Sequence, residues 1–407
     1  MTAVRILRLA AGGDGVGRLE DGRTVFVPRT APGDLVEIGG LHARRRYARA
    51  RVARVLEPSP DRVDPPCPHY LHDDCGGCQL QHLDAGPQRA ARRGFVGDAF
   101  RRIAKLDVAD PDIVPADREF EYRTKITLAV DDGGRRIGLH PLDRPDRAFD
   151  LVRCHITASE LMGLWARVRE VRELLPRGIR QIVLRLDRSG GLHLLLLASG
   201  TVAWDGAGAL HRALEARGPS ATIWLWREGS DAEAVAGAQV PFPATVFEQV
   251  HPAMGDKVRA FALSALGEVA GRHVWDLYAG IGETTSALVR AGATVESVES
   301  DPRAVAEAEA RGPTAVRHVG RVERLLSRLR APELVITNPP RTGMDERVTA
   351  ELERVLPQRI VYISCDPATL ARDLTRMSAF RLASALAFDL FPQTAHVETV
   401  AVLEPAR

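Results

Sequence analysis

A chain of 407 residues, 45% hydrophobic and 27% charged, is that of a globular protein too long for one ordinary core, so two or three domains are expected. The opening MTAVRILRLAAGGDG has no signal-peptide core, and no run of about 18 apolar residues occurs, which argues against a helical membrane protein and makes a cytoplasmic enzyme the expectation. Net charge is only +2, yet residues 1–57 hold eleven Arg against six Asp and Glu, a local balance of +5. Of the 55 basic residues only Lys105, Lys125 and Lys257 are lysines. Arginine suits bidentate phosphate contacts, but a GC-rich coding sequence gives the same excess, so the bias alone carries no functional weight.

Residues 1–57 read as all-β. GVGRLEDGRTVFVPRTAPGDLVEI alternates short apolar runs with Gly, Pro and Asp turns, and RRRYARARVARVLE reads as a further, basic strand. Strands at this spacing suit a small barrel of five strands. The Pro-rich EPSPDRVDPPCPH marks a boundary. After it come a cysteine cluster and a basic amphipathic helix over residues 88–106. Residues 113–240 mix strands (RTKITLAV, QIVLRLD, LHLLLLAS, ATIWLWRE) with helical stretches such as ASELMGLWARVREV, the pattern of an α+β middle domain. From about residue 250 helices and strands alternate as far as RIVYISC, which predicts a doubly wound α/β sheet. The expected domains are therefore 1–57, 58–245 and 246–407, with the helix over residues 88–106 a candidate to pack on the last of them.

Within that last region WDLYAGIGETT (275–285) is a strand, a glycine turn and a helix start. Gly280 and Gly282 allow a ligand close to the backbone at a helix N-terminus. Thr285 stands where a dinucleotide fingerprint has its third glycine. Glu299, near the end of the next strand, is suitably placed to accept both hydroxyls of a ribose, so an adenosine ligand is favoured. NPPRTGM (338–344) follows a further strand, and its two prolines stiffen a turn able to hold a planar base. Cys365 ends RIVYIS at the carboxyl edge of the sheet, where open α/β sheets hold ligands. Glu398 lies in a mostly apolar final strand, a costly place for an idle carboxylate. Among the five cysteines, Cys67, Cys75 and Cys78 cluster in CPHYLHDDCGGCQLQHL, with Cys154 further on. Four thiolates match a structural zinc or an iron–sulfur cluster.

Taken together these motifs resemble one family, the S-adenosylmethionine-dependent RNA uracil-5-methyltransferases, and the resemblance spans nearly the whole chain. GDGVGRLEDGRTVFVPRTAPGDLVEI is similar to the family's TRAM domain, an OB-like RNA-binding barrel. CPHYLHDDCGGCQLQH with Cys154 is similar to its [4Fe–4S] site, zinc being the runner-up. FEQV, DLYAGIG, NPPRTG, SCDPATLARDL and FPQTAHVE follow in the family's order. The resemblance implies a multidomain chain: TRAM barrel, α+β central domain with the cluster, and Rossmann-like methyltransferase domain. It makes Cys365 the nucleophile, Glu398 the general base, and Gln249, Tyr278, Glu299 and Asn338 the cofactor-binding positions. The implied substrate is a uridine in RNA, ribosomal RNA above all, with no membrane or protein partner and a monomeric enzyme.

Several residues depart from the family pattern. Asn338 stands where Asp is usual, His251 follows FEQV in place of Asn, and Glu283 replaces an Asn after the glycine turn. Seven residues separate Cys67 from Cys75, against the usual five. The alternatives are a transfer-RNA uridine-5 methyltransferase, a catalytically inactive RNA-binding scaffold, and an NPP-type enzyme methylating nitrogen. That last type needs no cysteine nucleophile, and Cys365 argues against it.

Overall fold

The computed structural model describes residues 2–131, 133–200, 204–238 and 249–406; Phe247 and Glu248 of the FEQV motif, and the boundary expected at 245, lie outside them. Among the described residues no helix is long and apolar enough to cross a membrane. The chain divides into two compact units of interleaved segments. The first comprises Met1–Gln88, Asp117–Pro243 and Pro392–Ala395; the second comprises Arg89–Ala116, Ala244–Phe391 and His396–Arg407. The range 58–245 is thus interrupted by a segment that belongs to the second unit.

The first unit begins with a curled sheet of six strands: β1 (Thr2–Arg5), β2 (Arg8–Leu9), β3 (Gly15–Arg18), β4 (Thr24–Val27), β5 (Leu35–Ala43) and β6 (Tyr47–Glu57). Their order is β1-β5-β6-β4-β3-β2. Alternation in TVFV and LVEI turns Val25, Val27, Val36 and Ile38 inward onto Val4, Ile6, Ala48 and Ala50. Asp21-Gly22 makes the tight β3–β4 hairpin, with Gly22 at φ 84°. Just past β1, Leu7 N donates to Val16 O at 2.8 Å, curling the sheet toward closure. One strand more than expected is present, the two-residue β2.

After the cysteine loop, the helix Ala85–Arg102 and the short strand β7 (Asp112–Val114) carry the chain into the second unit. It returns for a six-stranded sheet ordered β13-β12-β11-β10-β8-β9. These strands are β8 (Lys125–Val130), β9 (Ile137–Gly138), β10 (Ile179–Leu186), β11 (Leu192–Ala198), β12 (Ala221–Arg227) and β13 (Glu233–Ala236). The helices Ser159–Glu170 and Ala207–Glu215 bury Leu161, Leu164, Trp165, Leu210 and Leu214 against Leu194, Leu196 and Ile223, the α+β layering expected for this stretch.

The second unit is built on β14 (His273–Leu277), β15 (Thr294–Glu299), β16 (Val316–Val319), β17 (Leu334–Thr337), β18 (Arg359–Ser364), β19 (Phe380–Phe388) and β20 (Glu398–Pro405). With β7 they form one sheet ordered β16-β15-β14-β17-β18-β20-β19-β7. Strands β14 to β18 are mutually parallel, and β20 runs antiparallel to β18 and β19. Strands buried on both faces read as continuous apolar runs, as HVWDL and LVIT do. The sheet grows toward β15 on one side of β14 and toward β17 on the other. A switch point of this kind opens a crevice at the carboxyl ends of the strands, just where DLYAGIG and NPPRTG begin. The helix Ala85–Arg102 seats Val96, Ala99 and Phe100 in the same core as Trp275 and Leu403. Buried Arg92 on this helix pairs with buried Asp389 at 2.9 Å.

Candidate active site

Gln249, Tyr278, Glu299, Asn338, Cys365 and Glu398 all line one cavity of about 940 Å³ in the second unit. The glycine turn shapes one wall. Tyr278, Gly280 and Gly282 adopt positive φ (61°, 56° and 72°). A Cβ on Gly282 would lie 2.9 Å from Ala308 Cβ, so the helix Pro302–Arg311 leaves no room for a side chain there. Glu299 closes the turn: one carboxylate oxygen accepts from Gly280 N at 2.9 Å, the other from Ser300 N (2.6 Å) and Asp301 N (2.8 Å). The missing third glycine has a reason as well. Thr285, fully buried, donates through Oγ1 to Asp276 Oδ2 at 2.6 Å, and burial pushes that carboxyl up to about 7.

The second wall is the NPPRTGM loop. Asn338 N donates to Leu277 O at 3.1 Å, tying the loop to the end of β14, and Gly343 N donates to Pro340 O at 2.8 Å. Gly343 is at φ 74°, a conformation costly for any other residue type. The segment Arg321–Glu323 also lines the cavity; no motif in the sequence singled it out.

Cys365 follows β18 directly and precedes Asp366, whose carboxylate caps the helix Pro367–Thr375 by accepting from Ala368 N and Thr369 N at 2.9 and 3.0 Å. Burial raises the thiol pKa; Glu398 and Asp366 push the same way, and Arg341 opposes them. Glu398 opens β20 and is 1% exposed. Oε2 has no hydrogen-bond partner among the described residues. Burial pushes this carboxyl up to about 8, against the pull of Arg341. Arg341 therefore acts on both groups at once. Sequence reasoning placed it within NPPRTG but assigned it nothing, although a cation directly after two rigid prolines was the available signal. Two of the departures also gain partners or positions: Glu283 forms an ion pair with Arg259, and His251, buried, precedes the first turn of the helix Pro252–Leu266.

The comparisons with known proteins meet this geometry. The 23S rRNA (uracil(1939)-C(5))-methyltransferase RlmD of Thiobacillus denitrificans is 30% identical over 98% of this chain and 99% of its own length. An uncharacterised RNA methyltransferase of Gloeobacter violaceus is 32% identical over 98% of this chain and 96% of its own. The tRNA (Uracil-5-)-methyltransferase family matches residues 303–406, and the TRAM domain matches residues 2–53. The chain belongs to the RNA uracil-5-methyltransferase family. It is accordingly a methyl-transferring enzyme, with a TRAM domain as its amino-terminal barrel. A solved relative, the tRNA (uracil-54, C5)-methyltransferase of Pyrococcus abyssi in complex with S-adenosyl-L-homocysteine, has the same fold. It superposes with a TM-score of 0.74 over 98% of this chain and 99% of its own, at 23% identity.

In this uracil-5-methyltransferase the four remaining cysteines lie in the first unit. Cys67, Cys75 and Cys78 are buried and Cys154 is partly exposed. Burial raises the Cys67 thiol, takes Cys75 to about 11 and lifts Cys78 further, and in each case the charge of Cys154 adds to the rise. The four thiols are thus neighbours, although among the described residues no group of three or more His, Cys, Asp or Glu side chains is arranged to hold a metal ion. The expected ligand set is therefore not preassembled for iron–sulfur or zinc. The barrel grips this loop: Arg29 stacks 4.2 Å from the Tyr70 ring centroid and donates to Cys75 O at 3.1 Å. Arg51 pairs with Asp74 at 3.0 Å.

Proposed function

We propose that the enzyme methylates carbon 5 of a uridine in RNA, with ribosomal 23S RNA as the favoured substrate, through a covalent adduct between Cys365 and carbon 6. The observation that carries this reading is the sharing of one cavity by a thiol and by a fully buried carboxyl with an unpartnered oxygen. Carbon 5 of uracil is too weak a nucleophile to take a methyl group unaided. Addition of the Cys365 thiolate at carbon 6 shifts electron density to carbon 5, which then attacks the methyl electrophile. The Glu398 carboxylate removes the carbon-5 proton; those electrons rebuild the 5,6 double bond and expel the Cys365 thiolate. Arg341 lowers the cost of the anionic form at both residues.

S-Adenosylmethionine supplies the methyl group. Its adenosine fits the wall made by Tyr278, the glycine turn and Glu299, with Gln249 and Asn338 as further contacts. Cys67, Cys75, Cys78 and Cys154 are the candidate ligands of a [4Fe–4S] cluster, zinc being the alternative. Mutual proximity of the thiols supports that assignment, and its role is structural, since methyl transfer moves no net electrons. The basic barrel supports an RNA partner, and the enzyme is read as a cytoplasmic monomer. Transfer RNA remains the second substrate reading. Intact Cys365 and Glu398 in one cavity count against an inactive scaffold.

The test uses RNA carrying 5-fluorouracil, whose carbon-5 fluorine cannot leave as a proton does, so the adduct persists. The parent enzyme is expected to trap it, and Cys365→Ala to bind RNA without trapping or methylating. Glu398→Gln is expected to accumulate an adduct even on ordinary RNA. Methylation by Cys365→Ala at more than a few per cent of the parent rate would sink the mechanism.

A further inference from the structure

One buried group in the second unit is used by none of the steps above. Asp373, fully buried, lies on the helix whose first turn follows Cys365. Its carboxylate joins three elements. Oδ2 accepts from Met344 N in the NPPRTGM loop at 2.7 Å and from Tyr362 Oη on β18 at 2.8 Å. Oδ1 accepts from Arg372 Nε and Nη2 at 3.0 and 2.7 Å. Arg372 in turn donates to Thr342 O at 2.8 Å. The loop is thus held to the nucleophile's helix at both Thr342 and Met344, the residues flanking Gly343. A Cβ on Gly343 would stand 2.6 Å from Asp373 Oδ2, so glycine is required for this close approach. A carboxylate accepting several charge-assisted and backbone bonds in a dry site is a rigid node. Asp373 does not line the cavity. What it holds does: Arg341, one residue before Thr342.

We propose that Asp373 is a positioning residue for methyl transfer, fixing the NPPRTGM loop so that Arg341 faces Cys365 and Glu398. The inference rests on the reading of Cys365 as nucleophile, but its test needs neither RNA nor methyl donor, so the two can fail separately. The readout is the pH dependence of Cys365 alkylation by iodoacetamide, followed on the Cys365 peptide by mass spectrometry. Around this thiol stand Glu398, Arg341 and Asp366. Asp373→Asn is expected to move the alkylation midpoint upward by about half a pH unit, about a threefold slower rate at neutral pH. Arg341→Ala is expected to do the same, and the double variant no more than Arg341→Ala alone. Arg372→Gln, at a side chain only partly covered, is expected to give part of the shift and serves if Asp373→Asn does not fold. An unchanged midpoint in a folded Asp373→Asn or Arg372→Gln protein, whatever its melting temperature, would overturn the proposal. So would additive shifts in the double variant.

Discussion

Glu398 makes a direct prediction about stability. In the folded chain its carboxyl is raised from 4.5 to about 8 by burial, with Arg341 as the opposing influence. Between those two values the folded protein holds a proton that the unfolded chain has already lost. Stability from this group is therefore fully present below pH 4.5 and is lost as pH rises through about 8. The interval from 4.5 to about 8, at about 1.36 kcal/mol per pH unit, amounts to about 5 kcal/mol. Glu398→Gln keeps the shape and removes the ionisation. Relative to the parent it is expected to gain about 4 kcal/mol between pH 5 and pH 9, while losing turnover. Parallel urea titrations of the two proteins at each pH, compared at equal pH, measure this difference. A gap between them that changes by less than about 1 kcal/mol over that range would mean that the carboxyl is hydrated or paired, and the argument for a desolvated base would fall. The methylation rate of the parent is expected to rise over the same range, because both the thiol and the carboxyl must lose protons to act.

Protein purified without oxygen is expected to hold iron and sulfide on Cys67, Cys75, Cys78 and Cys154; one zinc and no iron by metal analysis would replace the cluster. Arg44, Arg45 and Arg46 are exposed on the barrel, whereas Arg49 and Arg51 already face Asp14, Asp74 and Asp143. Replacing the first three by Ala is expected to flatten the salt dependence of RNA affinity by about one unit for each phosphate that is no longer neutralised; an unchanged slope and dissociation constant would remove that face from RNA binding. Asp389→Ala removes the carboxylate that buried Arg92 faces at 2.9 Å, and chemical denaturation should register a loss of about 3–5 kcal/mol. A loss below about 1 kcal/mol would show that water reaches the guanidinium.

The residues legible in the sequence were those whose chemistry is tied to a local signal. Gly280 and Gly282 sit between a buried strand and a helix start, Asn338 precedes two prolines, and Cys365 ends an apolar run. Each such turn lies at the same edge of a parallel sheet, so finding the turns amounted to finding the cavity. Arg341 and Asp373 fall within recognisable motifs yet carry no role there, because what they do depends on partners brought close only by folding. Asp373 draws its partners from residues 342–376, and its helical position looks like any other charged residue on a helix. The strand Asp112–Val114 has three residues, too few to show a period, and it pairs with residues 386–388. The fourth cysteine was found by counting, but counting could not supply a coordination geometry.

Residues Pro392–Ala395, immediately before the strand of Glu398, belong to the first unit. Gln393 O accepts from Gln79 N and Leu80 N at 3.2 and 3.0 Å, and Gln88 Nε2 donates to Gln393 Oε1 at 2.9 Å. A ribosome making this protein therefore cannot finish the first unit when its own bulk has emerged, at residue 243; the closing piece arrives only some 150 residues later, after most of the second unit. Neither unit corresponds to a contiguous stretch of gene. Truncation anywhere between residues 117 and 391 leaves both incomplete, and the first unit can close only after most of the second has been made, so the two cannot fold strictly one after the other.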